Sequence, residues 1–416
     1  MELNKLHQLF LNSSGISTDT RNISADSIFF AMKGANFNGN EFAKDAISKG
    51  AKLAVIDEEQ YAFNADYILV ENVLHCLHQL ASFHRSHLNC PVLGITGSNG
   101  KTTTKELINA VLAQKYDVVC TQGNLNNHIG VPLTVLSADL KTEFLIVEMG
   151  ANHQNEIKLL SEIADINYGI ITNIGKAHLE GFGSVEGVTK TKKEMYDYIK
   201  KQSGTLFINK EDKLLQSIST TINKVEYLTD EHNDGSPFAS VKCFDKIITS
   251  KLIGSYNCTN IQAAISIGLY FDVSFEDIKS AIENYTPQNN RSQFESTIKG
   301  NSLIIDYYNA NPTSMIMAIE SFYSIKSAKK LFILGDMLEL GEVSIHEHQK
   351  IIDELSETLS EAILIGTEFG KCSHSFPHFT DVYEAQKWIK EKSFKDYFIL
   401  LKGSRGIKLE ELKDLL

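Results

Sequence analysis

Between an apolar run and a helical pattern lies GITGSNGKTTTKE, Gly94 to Glu106, a glycine turn followed by a lysine and three threonines. These residue types at this spacing suit an anion. A helix N-terminus presents unpaired backbone N–H groups and partial positive charge, and small residues let a phosphate approach them. Gly97, Ser98, Asn99 and Gly100 would form the cradle, with Thr103 in the first turn. Lys101 would reach the terminal phosphates and the Thr102 hydroxyl would sit on Mg²⁺. The motif departs from its common spacing, because the position five residues before Gly100 is Ile95 rather than glycine; the chain reads TGxxGKT.

Other residues could join that chemistry. Glu148 closes the apolar run FLIVE ahead of Met149-Gly150, and a carboxylate there offers Mg²⁺ a hard oxygen ligand. TNIGKAHLEGFGSVEG places His178 beside Glu180 in a glycine-rich loop, although a lone histidine is more often structural. Lys192 stands in TKTKKEMYD among Lys190, Lys193 and Lys200, which by themselves read as a solvated helical face with Glu194 pairing nearby lysines. Asn257 and Asn260, in GSYNCTNIQAA, open a helix, and capping accounts for one of them. The turns STDTRNI and KGANFNGNEF carry Thr18, Asp19, Thr20, Arg21, Asn36, Asn38 and Asn40. They suit the gripping of a polar ligand, and equally an ordinary surface.

The elements that must position these residues fall into three segments. From about residue 20 to 85, SIFFAMKG, a helical stretch near Phe42 to Ile47, KLAVID and YILVEN read as a small mixed α/β domain. From Cys90-Pro91, the strands VLGITG, FLIVEMG, YGIITNIG and TLFINK alternate with helices, which predicts a parallel sheet covered on both faces. Gly97, Glu148 and Asn173 then fall at carboxyl ends of strands, where such sheets bind ligands. From about Pro287, SLIIDYY, KLFILGDM, EAILIG and YFILLKGS repeat the pattern as a smaller α/β domain. The fold class is therefore α/β in three domains, 1–88, 89–286 and 287–416, the central one a P-loop parallel-sheet domain and the last Rossmann-like.

Composition agrees with a globular enzyme. At 416 residues the chain exceeds what one core usually serves. No apolar run reaches the roughly 18 residues of a spanning helix, and MELNKLHQLF lacks the marks of an export leader. A cytoplasmic protein without membrane insertion is expected. Six scattered cysteines without a C-x-x-C pair fit reduced thiols. A net charge of −12 weighs against nucleic acid as a partner.

Taken together, TGSNGKTTT, GNLNNHIGVPLTVL, EMGANHQNEI, TNIGKAHLEGFGSVEGV, YYNANPTSM and LGDMLELG resemble the Mur ligase family, ATP-dependent amide-forming enzymes of peptidoglycan precursor assembly. YNANP and GDMLELG are similar to the words of the member that adds a terminal dipeptide. The resemblance implies ATP and Mg²⁺ as cofactors, UDP-N-acetylmuramoyl-tripeptide and D-alanyl-D-alanine as substrates, an acyl-phosphate intermediate, and a monomer. It implies domains for the UDP end, for ATP and for the incoming amine, in that order.

By resemblance, Lys101 contacts the β- and γ-phosphates, Thr102 and Glu148 hold a first Mg²⁺, and His178 helps hold a second. Lys192 matches a carbamylated lysine of relatives, with Lys193 as the alternative register. Asn257 and Asn260 approach adenine and Arg291 reaches the nucleotide. Relatives carry two consecutive acids where this chain has Ile305 and Asp306, so Asp306 is the candidate for the ribose or the moving domain. Thr20, Arg21, Asn126 and Asn127 are assigned to the UDP substrate, Asn309 and Asn311 to the amine. Asp336, Glu339, His346, Lys402, Ser404 and Arg405 follow strand ends facing the same crevice. Another amino-acid-adding ligase of the family, a small-molecule kinase and a nucleotide-binding regulator remain as other readings.

Overall fold

Runs of apolar residues without alternation demand strands buried on both faces, and the central sheet is built from them. The computed structural model describes residues 2–416 apart from His178, Ala328 and Leu359. Val92–Thr96 and Phe144–Glu148 are buried at every position. The central sheet runs Asn223–Tyr227, Thr205–Asn209, Tyr168–Ile171, Val92–Thr96, Phe144–Glu148, Val118–Cys120, every neighbour parallel. Val92, Leu145 and Val147 pack into a core on one face, and Leu93, Ile95, Phe144 and Ile146 into another core on the opposite face.

Chain order reverses around Val92–Thr96, since Phe144–Glu148 pairs on one side and Tyr168–Ile171 on the other. A crevice opens beyond the carboxyl ends at such a point. Helix Lys101–Leu112 leaves it with Leu107, Ile108, Val111 and Leu112 buried, as their spacing requires.

A first sheet of four parallel strands, Ile16–Ser17, Ile28–Phe30, Leu53–Ile56 and Tyr67–Leu69, precedes it. Helix Val73–Arg85 carries the chain onward, and its last residue donates to Leu88 O at 2.7 Å just beyond the helix and to Ala164 O at 3.0 Å in the central domain. The third sheet orders Gln293–Ser296, Ser302–Asp306, Phe398–Lys402, Lys330–Gly335, Glu361–Ile365 and His378–Phe379, parallel except for its first pair. Among the described residues no helix is long and apolar enough to cross a membrane.

Candidate active site

The phosphate loop leaves no room for side chains at its two turning points. Gly97 has φ +150°, and a Cβ there would lie 1.9 Å from Thr172 Oγ1; at Gly100, φ +80°, it would lie 2.7 Å from Asn260 Oδ1. Neighbouring strand ends hold the loop. Ser98 N donates to Asn173 O at 2.9 Å, Asn99 N to Asn173 Oδ1 at 3.0 Å, and the Thr172 hydroxyl to Asn99 O at 2.6 Å. Lys101 donates to Gly97 O at 2.7 Å. Burial pulls its pKa down to about 8; Glu148 works against that fall and Arg291 adds to it.

Glu148 sits beside the loop, 1% exposed. Its Oε1 accepts from Thr102 Oγ1 at 3.2 Å and from Asn126 Nδ2 at 2.7 Å, while Oε2 is buried without a hydrogen-bond partner. An orphaned carboxylate oxygen carries a large desolvation cost unless something charged meets it. No group of three His, Cys, Asp or Glu side chains among the described residues could form a metal cage. One carboxylate and one hydroxyl fit Mg²⁺, which retains waters and takes other ligands from phosphates.

Lys192 occupies an apolar position. Helix Val185–Lys201 buries Val188, Thr191, Lys192, Met195, Tyr196 and Ile199, and Lys192 reaches the crevice from that face. Burial foremost, then the charge of Lys101, drives its pKa well below the ordinary lysine value. Lys193 pairs with Asp197 outside the crevice. The solvated-face reading therefore suits Lys193 and fails for Lys192. His178, expected nearby, lies outside the described residues.

The third sheet closes the opposite wall of a cavity of about 560 Å³. Asp306 and Lys402, adjacent in register, form an ion pair of 2.5 Å. The guanidiniums of Arg291 and Arg405 lie 4.0 and 5.7 Å from the Tyr308 ring centre. Glu339 and Asn309 line the cavity as well. Asn311 caps helix Pro312–Ser324 in a capping box with Ser314, and its Nδ2 donates to Asn99 Oδ1 at 2.7 Å. Asn257 donates to Ile253 O at 2.8 Å and Ser292 Oγ at 3.1 Å, and Asn260 donates to Asn257 Oδ1 at 2.9 Å. Capping explains neither, because Tyr256 precedes the helix and makes no side-chain cap.

Several expectations need correction. Asp336 turns away from the crevice, accepting from Glu368 N at 2.8 Å and Phe369 N at 3.0 Å. His346 is exposed on helix Ser344–Glu357; the buried histidine is His348, which accepts from Met337 N at 3.0 Å. Ser404 is buried and supports that loop by accepting from Leu338 N at 2.9 Å. Asn127 lines the cavity, but its Oδ1 accepts from Ile129 N and Gly130 N at 3.0 and 2.9 Å. Thr20 and Arg21, expected at the UDP end, lie in the first domain and apart from this cavity, with Arg21 paired to Asp19 at 2.6 Å on the surface.

Sequence reasoning passed over Tyr308, Lys105 and the pair Lys176 and Glu347, which joins the central and third domains at 2.7 Å. Lys105 had a signal, since Lys101, Lys105, Ile108 and Leu112 share one helical face.

Three family descriptions match in succession: "Mur ligase family, catalytic domain" over residues 12–85, "Mur ligase middle domain" over 95–268 and "Mur ligase, glutamate ligase domain" over 290–405. A curated relative from Bacillus subtilis is 36% identical, with 97% of this chain and 93% of the relative covered. The chain belongs to the Mur ligase family. The Bacillus relative of this Mur ligase is named UDP-N-acetylmuramoyl-tripeptide--D-alanyl-D-alanine ligase. MurF from Acinetobacter baumannii has a similar structure, with TM-score 0.86 and 26% identity over 99% of this chain and 98% of that one. MurF ligase from Thermotoga maritima, solved in complex with ADP, gives TM-score 0.85 and 26% identity over 97% and 98%. The three-domain architecture expected from the sequence is that of these Mur ligases.

Proposed function

We propose that this Mur ligase joins D-alanyl-D-alanine to UDP-N-acetylmuramoyl-tripeptide with consumption of ATP, giving the pentapeptide precursor, ADP and phosphate. The observation that carries the reading is the nearly full-length similarity to a relative that bears the name of that reaction. The cavity supports it, because the phosphate loop and residues of the YYNANP and GDMLELG segments line one open cleft. We assign residues 1–88 to the UDP end, with Thr20 and Arg21 as contacts, 89–286 to ATP, and 287–416 to the dipeptide and to closure. We place the enzyme in the cytoplasm as a monomer.

A carboxylate resists attack by an amine until one of its oxygens can leave. The tripeptide carboxylate would take the γ-phosphoryl group, with bond formation to the acyl oxygen and release of ADP. Lys101, placed one residue after Gly100, meets the charge that spreads over the phosphoryl oxygens. Glu148 and Thr102 would hold Mg²⁺, which supplies neutralisation of phosphate charge. The uncharged amine of the dipeptide then forms its C–N bond, the acyl C–O bond breaks, and the departing phosphate carries away the proton that the nitrogen gives up. We assign Asn309 and Asn311, on the third-domain wall, to the incoming amine and Asn126 and Asn127 to the tripeptide substrate; all four line the cavity. Asn257, Asn260, Arg291 and Asp306 are assigned to the nucleotide. The third domain excludes water that would otherwise hydrolyse the acyl phosphate.

Lys192 suits carbamylation, since only an uncharged amine adds to CO₂ and burial favours that form. The product would be an oxygen ligand for a second ion shared with His178. Phosphate release measured with ATP, Mg²⁺ and the tripeptide substrate, with and without D-alanyl-D-alanine, tests the whole reading. Dipeptide-dependent release with a pentapeptide product by mass is expected; release driven by another amino acid moves the chain to a sister ligase.

A further inference from the structure

One buried charge next to the cavity has no part in the reaction as written. Lys105, a helical turn beyond Lys101, is 0% exposed. Its ammonium donates to Thr121 O at 2.6 Å and more weakly to Gly123 O at 3.5 Å, and it pairs with Glu106 at 2.9 Å. Burying an ammonium is costly, and an apolar side chain of similar size would fill such a site without that cost.

What the ammonium holds is the start of the loop from Thr121 to Asn127. Gln122, Gly123, Asn124 and Leu125 are all exposed, so packing does little to fix this segment. Polar anchors do so instead. Thr121 Oγ1 accepts from Glu148 N at 3.0 Å, which ties the loop to the strand end carrying the carboxylate. Five residues on, Asn126 donates its amide to Glu148 Oε1 at 2.7 Å and accepts from Gly150 N at 2.8 Å. That amide occupies one oxygen of Glu148 and leaves Oε2 unpartnered.

We propose that Lys105 is a positioning residue for the divalent-cation site: through the 121–127 loop and Asn126 it sets which oxygen of Glu148 is presented to the ion. This rests on the reading of Glu148 as a cation ligand. Lys105 touches neither ion nor substrate; it acts through a loop whose two ends meet the same carboxylate residue.

The test is Mn²⁺ binding in the presence of ADP, followed by electron paramagnetic resonance, for the wild type, Lys105→Met, Asn126→Ala and the double variant. Thermal unfolding establishes that each is folded. Lys105→Met is expected to lose about tenfold in Mn²⁺ affinity, while ADP binding measured in EDTA stays within about twofold. In the double variant the loss should match the larger single loss rather than the sum, because both residues act on one carboxylate. Wild-type affinity in folded Lys105→Met, or additive losses, overturns the proposal and leaves the cation reading intact. A wild-type protein that binds no Mn²⁺ overturns both. Should Lys105→Met not fold, Lys105→Gln takes its place; its shorter amide cannot hold both carbonyls, so reduced affinity is expected and unchanged affinity overturns the proposal.

Discussion

The side-chain amides of Asn99 and Asn311 meet at 2.7 Å across 212 residues of sequence, joining the phosphate loop to the first turn of a third-domain helix. Lys176 adds a second tie, with its ammonium on Glu347 and its backbone N–H on Thr313 Oγ1 at 3.2 Å. On the proposed reaction, a domain that shuts over a short-lived intermediate would thereby be hinged to the phosphate loop. Asn311→Asp keeps an acceptor for the Ser314 N–H but cannot donate to Asn99. Unfolding free energy should change by less than about 1 kcal/mol, while ligation slows roughly tenfold, read by thermal unfolding and phosphate release. A variant that ligates at the wild-type rate refutes the hinge.

Lys101→Met should lower turnover by roughly a thousandfold without unfolding the protein, because it removes a half-buried charge rather than a packing group. With the ammonium titrating near pH 8 in the free protein, bound phosphates favour the charged form and raise its pKa. ADP binding should therefore take up protons above pH 8 and almost none near pH 6.5. Calorimetry in buffers of different ionisation enthalpy measures this uptake; its persistence in Lys101→Met would assign it to another group.

Glu148→Gln should weaken Mg²⁺ dependence at least tenfold yet leave the ligand-free protein as stable as before or more so. The reason is that Oε2 is buried without a partner, so charge removal relieves desolvation. A marked drop in melting temperature would show that the carboxylate serves the fold.

Incubation with ¹³C-labelled bicarbonate should give a carbamate carbonyl resonance in the wild type and in Lys193→Ala. It should vanish in Lys192→Met. A signal surviving in Lys192→Met would remove Lys192 from the metal assignment.

The strands were legible because parallel sheets covered on both faces need unbroken apolar runs, and VLGIT, FLIVE and FILLK supply them. The loop was legible because its glycines answer a local steric demand. Lys192 was ambiguous by composition, and only its place in the stripe of Val188, Met195 and Ile199 reveals that it faces inward. Asp336 and His346 were misread because a strand end fixes where the backbone goes, not which way a side chain turns. Tyr308 between two arginines depends on residues more than a hundred positions apart in sequence folding into one wall, which no local pattern encodes.

Because Arg405 and Lys402 complete the wall that faces the phosphate loop, a polypeptide emerging from the ribosome acquires its nucleotide cradle long before its shield. Domains fold as units in the order of their synthesis, so during that interval the phosphate loop would face no second wall. On the proposed reaction, catalytic competence would arrive only with Phe398–Lys402, the strand of the third sheet that is synthesised last and ends at the cavity wall.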